Sequence, residues 1–315
     1  MKIVITDAKT VTNGDIDVNI FSSLGDLEIF ELTDEKEVDE RIKEADILLC
    51  NKTPISAKTI EKAKNLKYIG LFATGFNNID VDFAKKKGIA VCNAPDYSTD
   101  AVAQLTFSYI LSFYSKVSEY NSLVANKEWI NSETFSYFPL PISELAGKTL
   151  GILGFGAIGK RVYALARAFN MNVLVCNRSE IAQKSVKQVD FDTLLKSSDI
   201  VSLHCPLNEQ SKGIMNKQSF AKMKKGALFI NTARGPLVDE NALKEALESG
   251  HLLGAGLDVL TKEPMDKNCS LFGVKNCLIT PHIAWAGLET RKRLVEIVYN
   301  NLKEFLSGNI INSVY

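Results

Sequence analysis

Thr149-Leu150-Gly151-Ile152-Leu153-Gly154-Phe155-Gly156-Ala157-Ile158-Gly159 is the stretch whose reading decides the fold. An apolar β-type run enters a GxGxxG turn, and a helical pattern (Ile158, Val162, Leu165, Ala166, Phe169) leaves it. Glycine is common, so the pattern alone is weak. A strand before it and a helix after it form the context in which such a turn cradles a dinucleotide. Gly154 would permit the tight turn, and Gly156 would let the backbone approach a pyrophosphate. Gly159 would let helix and strand pack closely, with Phe155, Ala157 and Ile158 completing the loop at the helix N-terminus. A glycine-rich turn without a ligand is the alternative.

Outward from this turn the same alternation of short apolar runs and helical patterns continues in both directions. Downstream, Asn172–Cys176, Ile200–Leu203, Ala227–Asn231, Gly254–Val259 and Cys277–Thr280 read as strands. Ala157–Asn170, Asn216–Met223 and Glu240–Glu248 read as helices between them. Upstream, Lys2–Thr6, Leu27–Glu31, Asp46–Cys50, Lys67–Leu71 and Ile89–Cys92 form a second strand series, with helices predicted at Glu35–Ala45 and Ala57–Lys64. Strand–helix alternation implies parallel sheets covered on both faces. Between the series, Ser98-Thr99-Asp100 offers capping oxygens. Val102, Leu105, Tyr109, Phe113 and Val117 then follow at helical spacing. The irregular, aromatic segment 126–142 contains Trp129, Phe135, Tyr137 and Phe138, and is either an arm that packs on a partner subunit or a loop folded on its own domain. The amphipathic pattern at Leu288–Leu306 follows the last strand and is expected to return to the first domain.

Bulk properties narrow the function classes. A chain of 315 residues exceeds what one core usually supports. Its 37 basic and 37 acidic residues cancel, which gives no global pull toward nucleic acid or an anionic membrane. No apolar run approaches the roughly 18 residues of a spanning helix, and the N-terminal run is too short for a signal-peptide core. The six cysteines (Cys50, Cys92, Cys176, Cys205, Cys269, Cys277) include no CxxC pair and read as buried thiols in a reducing, cytoplasmic setting. Cysteine and histidine never cluster at ligand spacing, so no metal site is expected.

The remaining alternation ends in residues with chemistry. The strand at Asn172–Cys176 should be followed by an acid that accepts from the adenosine ribose of NAD. Asn177-Arg178 stands there instead, and an arginine can stack on adenine or pair with a 2′-phosphate, which favours NADP, or use of both cofactors, over strict NAD; a solvated loop residue is the alternative. His204 ends a strand just before Cys205-Pro206, at the carboxyl edge where cofactors dock. His282 follows Pro281 at another carboxyl edge. The third histidine, His251, lies in a helix-ending turn and reads as a surface residue. Arg234, in Asn231-Thr232-Ala233-Arg234-Gly235, could clamp a carboxylate through two parallel hydrogen bonds. Glu263 lies beyond the strand that carries Asp258. Any one of these, taken singly, is more often structural or exposed.

Taken together they form ordered motifs. Leu145-Ala146-Gly147-Lys148-Thr149 before GFGAIG, Asn231–Gly235, Gly256-Leu257-Asp258-Val259 with Glu263-Pro264, and Pro281-His282-Ile283-Ala284 resemble the D-isomer-specific 2-hydroxyacid dehydrogenases. Thr74-Gly75-Phe76-Asn77-Asn78, Pro95-Asp96-Tyr97 and Ala284-Trp285-Ala286 are similar to the glycerate dehydrogenase/hydroxypyruvate reductase branch. The resemblance implies two Rossmann-like doubly wound α/β domains with an active-site cleft between them. Residues 1–97 and 288–315 would form the substrate domain, and residues 98–287 the dinucleotide domain. It implies that Arg234 holds the substrate carboxylate and that His282 exchanges the proton. Glu263 would pair with the imidazole and favour its charged form. Thr74 and Gly75 would bind the carboxylate, and Trp285 would border the substrate. Thr232, Ala233 and Asp258 would bound the nicotinamide, and His204, Cys205 and Pro206 the adenosine side. The expected activity is hydride exchange between NADP or NAD and a small 2-keto/2-hydroxy acid, hydroxypyruvate or glyoxylate first, a larger keto acid as the alternative, in a homodimer. A dinucleotide-sensing protein similar to the C-terminal-binding-protein co-repressors is a reading from another class; neutral charge and the lack of long tails argue against it.

Overall fold

The computed structural model describes residues 1–315, and the chain divides into two units: Met1–Ser98 with Ala286–Tyr315, and Thr99–Trp285. The first unit runs β1 (Lys2–Ile5), β2 (Asp26–Ile29), α1 (Val38–Arg41), β3 (Ile47–Cys50), α2 (Ala57–Lys62), β4 (Tyr68–Leu71), α3 (Val81–Lys86) and β5 (Ala90–Cys92). Its strands pair in the order β2-β1-β3-β4-β5, all parallel. Every residue of β3 and β4 is buried, as strands covered on both faces must be.

One helix is shorter than its sequence pattern suggests. Eleven residues from Glu35 to Ala45 carry the pattern, yet only Val38–Arg41 is helical. Asp34 explains the late start: its Oδ1 accepts from Lys36 N and its carbonyl from Glu37 N, a local turn that competes with helix hydrogen bonds.

The second unit opens with α4 (Thr99–Ser115), which breaks at Lys116 in a left-handed conformation (φ 50°) before α5 (Val117–Ala125). No residue of α5 is buried. Residues 126–148 form neither helix nor strand. There follow β6 (Thr149–Leu153), α6 (Ala157–Ala168), β7 (Asn172–Cys176), β8 (Lys187–Gln188), α7 (Phe191–Ser197), β9 (Ile200–Leu203), α8 (Lys217–Lys222), β10 (Ala227–Asn231), α9 (Glu240–Glu248), β11 (Leu252–Leu257) and β12 (Cys277–Ile279). The sheet order is β12-β11-β10-β9-β6-β7-β8, parallel throughout. This is the doubly wound α/β architecture. It reverses direction between β9 and β6, the switch point at which such sheets open a crevice beyond their strand ends.

Strand β11 begins two residues earlier than the expected Gly254, at Leu252, and ends at Leu257. A Cβ on Gly254 would stand 2.2 Å from the Phe113 ring, and one on Gly256 would stand 2.5 Å from the Tyr109 ring. The two glycines let α4 lie directly on the strand. The final helix, α10 (Leu288–Leu306), belongs to the first unit. Leu294, Val298 and Leu302 are buried there, and Phe305 packs 4.8 Å from the Tyr68 ring. No helix is long and apolar enough to cross a membrane.

Candidate active site

In a parallel sheet all strand carboxyl ends share one edge, so the segments after β6, β7, β9, β10, β11 and β12 converge there. At the switch point the three glycines of the turn do three different things. Gly154 has φ +97°, and a Cβ there would lie 2.6 Å from the backbone of His204 and Cys205. A Cβ on Gly159 would lie 2.3 Å from Gly154 O, so α6 and the turn can touch only through glycine. Gly156 has an ordinary φ of −75° and open space where its Cβ would be. Gly156 also caps α6 without any side-chain hydrogen bond, so the first amides of a 12-residue helix face that open space. Bare backbone beside an unobstructed helix N-terminus fits a pyrophosphate. Phe155 is buried, whereas Ala157 is exposed and Ile158 half-buried at the helix start.

After β7 the Asn177 side chain turns inward. Its Oδ1 accepts from Phe155 N at 3.1 Å, and its Nδ2 donates to Ser179 O at 3.0 Å. Gln188 braces the same loop, donating to Asn177 O and Ser179 O, each at 3.1 Å. Arg178 is exposed and forms no ion pair. After β9, the His204 Nε2 shares a hydrogen bond with Ser202 Oγ at 2.8 Å. The residue keeps some exposed surface, yet desolvation of its ring pushes its pKa down to about 3, so it is neutral and unsuited to proton exchange. Cys205, raised to about 11 by desolvation, is a protonated thiol. The Pro206 carbonyl accepts from Ser211 Oγ at 2.7 Å.

The turn after β10 is stapled by Asn231. Its Oδ1 accepts from Ala233 N at 3.0 Å, and its Nδ2 donates to Arg234 O at 2.9 Å. Thr232 is buried, with its hydroxyl 3.2 Å from that of Thr106 on α4. The half-buried Arg234 guanidinium donates to Ala233 O at 2.7 Å and has no carboxylate partner. Immediately beyond, Gly235 lies against the backbone of Leu260 and Thr261, where a Cβ would be only 1.9 Å from Leu260 C. The loop carrying Arg234 therefore presses on the loop carrying Glu263. Glu263 Oε1 accepts from Leu260 N at 2.9 Å, and its Oε2 stands 2.6 Å from His282 Nδ1. The ring is thereby oriented with Nε2 free of any protein partner.

His282 has φ +56°, a conformation rare outside glycine. What holds it there is Asp258, only 1% exposed. Its carboxylate accepts from Ile283 N and Ala284 N, each at 2.8 Å, and from Thr280 Oγ1 at 2.5 Å. Its carbonyl accepts from His282 N at 2.9 Å. Desolvation pushes the Asp258 carboxyl above the ordinary range, against the pull of those bonds. Its side chain thus faces the 280–284 loop. Sequence reasoning passed over Asn231, Gly235, Tyr109 and Thr280. The first two stand in a quoted motif, but the contacts of the last two carry no local trace.

In the first unit, Thr74 follows β4. Its Oγ1 donates to Ala94 O at 2.7 Å, and its carbonyl accepts from Asn93 Nδ2 at 2.7 Å. The amides of Thr74 and Gly75 donate to no acceptor in the protein. Trp285 is half-buried at the end of the second unit. His251 bonds the Phe220 carbonyl at 3.0 Å, away from these groups.

Residues 107–284 match the family described as D-isomer specific 2-hydroxyacid dehydrogenase, NAD binding domain. A hydroxypyruvate reductase from Blautia hydrogenotrophica is 41% identical over 100% of this chain and 99% of its own length. A glyoxylate reductase from Thermococcus litoralis is 39% identical over 86% of this chain and 83% of its own. Among solved structures, an acyclic imino acid reductase in complex with NADPH and D-Arg superposes with a TM-score of 0.89 at 33% identity, covering 100% of both chains.

Proposed function

The chain belongs to the D-isomer-specific 2-hydroxyacid dehydrogenases, NAD(P)-dependent oxidoreductases, and from that premise we propose that it reduces hydroxypyruvate or glyoxylate to D-glycerate or glycolate. The observation that carries this reading is the 2.6 Å contact between Glu263 and His282 Nδ1, which fixes the ring beyond β12 and leaves its Nε2 without a protein partner. When bound, the reduced nicotinamide supplies the hydride that adds to the keto carbon. The chain's own groups handle everything else. Arg234, a half-buried cation without a protein anion, holds the substrate carboxylate and polarises the keto oxygen. His282 Nε2 gives its proton to that oxygen as the new C–H bond forms, and Glu263 stabilises the imidazolium that must be restored for each turnover. Thr74 and Gly75 are assigned to the carboxylate through their unpaired amides, and Trp285 to the substrate side chain.

For the cofactor we favour NADP, with NAD also accepted. Asn177 spends its side chain on Phe155 and Ser179, which leaves no acid for the adenosine ribose, and Arg178 is free to meet a 2′-phosphate. Thr232 and Ala233 are assigned to the nicotinamide side, and His204, Cys205 and Pro206 to the adenosine side; Asp258, expected beside the nicotinamide, instead spends its buried carboxylate on the 280–284 loop. We place the enzyme in the cytoplasm, which suits six free thiols, and expect a homodimer.

The test is a panel of 2-keto acids assayed against NADPH and NADH, with two variants. His282→Ala should bind dinucleotide normally while losing about 10²–10⁴ in turnover. Arg178→Ala should lower the NADPH/NADH preference. Undiminished turnover in His282→Ala removes it from the chemistry, and an unchanged preference in Arg178→Ala ends the 2′-phosphate argument.

A further inference from the structure

Tyr109 lies on α4, in none of the motifs, and is 4% exposed. Its ring covers Gly256, and its hydroxyl ends beside the strand terminus that carries the site. The hydroxyl donates to Leu257 O at 2.8 Å and stands 2.5 Å from Thr280 Oγ1. Thr280 in turn donates to Asp258 Oδ1 at 2.5 Å. Thr280 has a single proton, and it goes to Asp258. With that proton on Asp258, the Tyr109–Thr280 contact is left to the tyrosine's proton, which it also offers to Leu257 O.

Both ends of this chain bear on His282. Leu257 immediately precedes Asp258, whose carbonyl and carboxylate hold the backbone of residues 282–284. Thr280 also accepts from His282 N at 3.0 Å through its own carbonyl. A left-handed histidine persists only where its surroundings over-determine it. Here the surroundings are one buried carboxylate and the two hydroxyls behind it. We infer that Tyr109 is a positioning residue for the reaction, acting through the Thr280 hydroxyl and the Asp258 carboxylate to hold the 280–284 loop, and so the His282 ring, in its productive orientation. The inference rests on the assignment of His282 as the proton donor.

Buried polar chains of this kind are costly when one member is missing, because the remaining groups stay desolvated without a partner. The substitution Tyr109→Phe keeps the ring against Gly256 and removes only the hydroxyl. With hydroxypyruvate and saturating reduced cofactor, kcat should fall roughly 3–10-fold, while the dinucleotide Kd and the keto-acid KM stay within about twofold. Thr280→Val should show the same split, and Thr280→Ser, which retains the hydroxyl, should stay within about twofold of the parent. The double variant Tyr109→Phe/Thr280→Val should be little slower than either single one, since both break one chain.

Full kcat in Tyr109→Phe, or losses that multiply in the double variant, overturns the inference. Should Tyr109→Phe fail to fold, the Thr280 pair decides: a slow Val beside a near-parental Ser supports it, and equal turnover in the two overturns it. Turnover surviving in His282→Ala would overturn the proton-donor assignment and the inference with it. An inactive His282→Ala beside a full-speed Tyr109→Phe overturns the inference alone.

Discussion

A single glycine can be required for the fold or for the ligand, and positions 154 and 156 separate the two. At Gly154 an added methyl meets the His204–Cys205 backbone at 2.6 Å, in a conformation with φ +97° that L residues rarely adopt. Gly154→Ala should therefore lower unfolding stability by roughly 1–3 kcal/mol, read by urea denaturation. At Gly156 the methyl meets nothing, and φ is −75°. Gly156→Ala should unfold within about 1 kcal/mol of the parent yet weaken dinucleotide binding at least tenfold, roughly, because the methyl fills the cradle the phosphates need. If Gly156→Ala bound dinucleotide as tightly as the parent, the turn would not be the phosphate site. The GxGxxG spacing announced these roles in the sequence. The role of Gly235 was not announced, because its neighbour, the Leu260–Thr261 backbone, is 25 residues away and leaves no periodic signal.

Elements are held at their other ends as well. Asp199, at the start of β9, accepts from Thr149 N at the start of β6 at 2.8 Å and from Lys224 Nζ at 3.0 Å. Desolvation works to raise its carboxyl, but the Thr149 amide and the Lys224 ammonium outweigh it and hold it below the usual carboxylate range. A depressed folded-state pKa contributes stability above the unfolded-state pKa of about 4, and that contribution is lost as pH falls through the folded-state value. Asp199→Asn should thus be less stable than the parent by about 1 kcal/mol at pH 7, and the gap should close below roughly pH 4. A gap that persists undiminished to pH 3 would show that the carboxylate charge contributes nothing. Such pairings explain which elements were legible. β6, β7, β9 and β10 match their apolar runs because a central parallel strand must be apolar along its whole length. β8 and α7 went unread. β8 has two residues, both exposed, and the seven-residue helix is too short to show a clear period, its start fixed by Asp190 accepting from Thr193 N. At the site, Arg234, Glu263 and His282 could be placed at strand carboxyl edges from the alternation alone, but their roles came from the resemblance of their motifs to a known family. The bonds that hold them, from Asn231, Asp258 and Thr280, depend on register between strands, which no local pattern encodes.

At the scale of the whole molecule, the chain exposes apolar surface that its own core does not use. No residue of helix α5 is fully buried, and beyond it Ile130 is 77% exposed, Phe135 93% and Phe138 75%. Tyr120, Tyr137, Phe138, Leu140, Pro141 and Ile142 line one hollow beside them. Isolated exposed apolar residues are ordinary, but a run of large ones along a single segment signals a surface that something covers. The formal net charge is zero, so no long-range repulsion opposes association of like chains. The proposed homodimer makes a second copy the cover, and a two-fold contact would bury the segment of each chain against its equivalent. Replacing Phe135 and Phe138 together by aspartate puts charge where that contact requires apolar surface. Both side chains are already in solvent within one chain, so the fold itself should lose little. Sedimentation at micromolar concentration should show the parent as a dimer and the double variant as a monomer, with unfolding of the isolated chain unchanged to within about 0.5 kcal/mol. A parent that sediments as a monomer would end the proposal, as would a double variant that still sediments as a dimer.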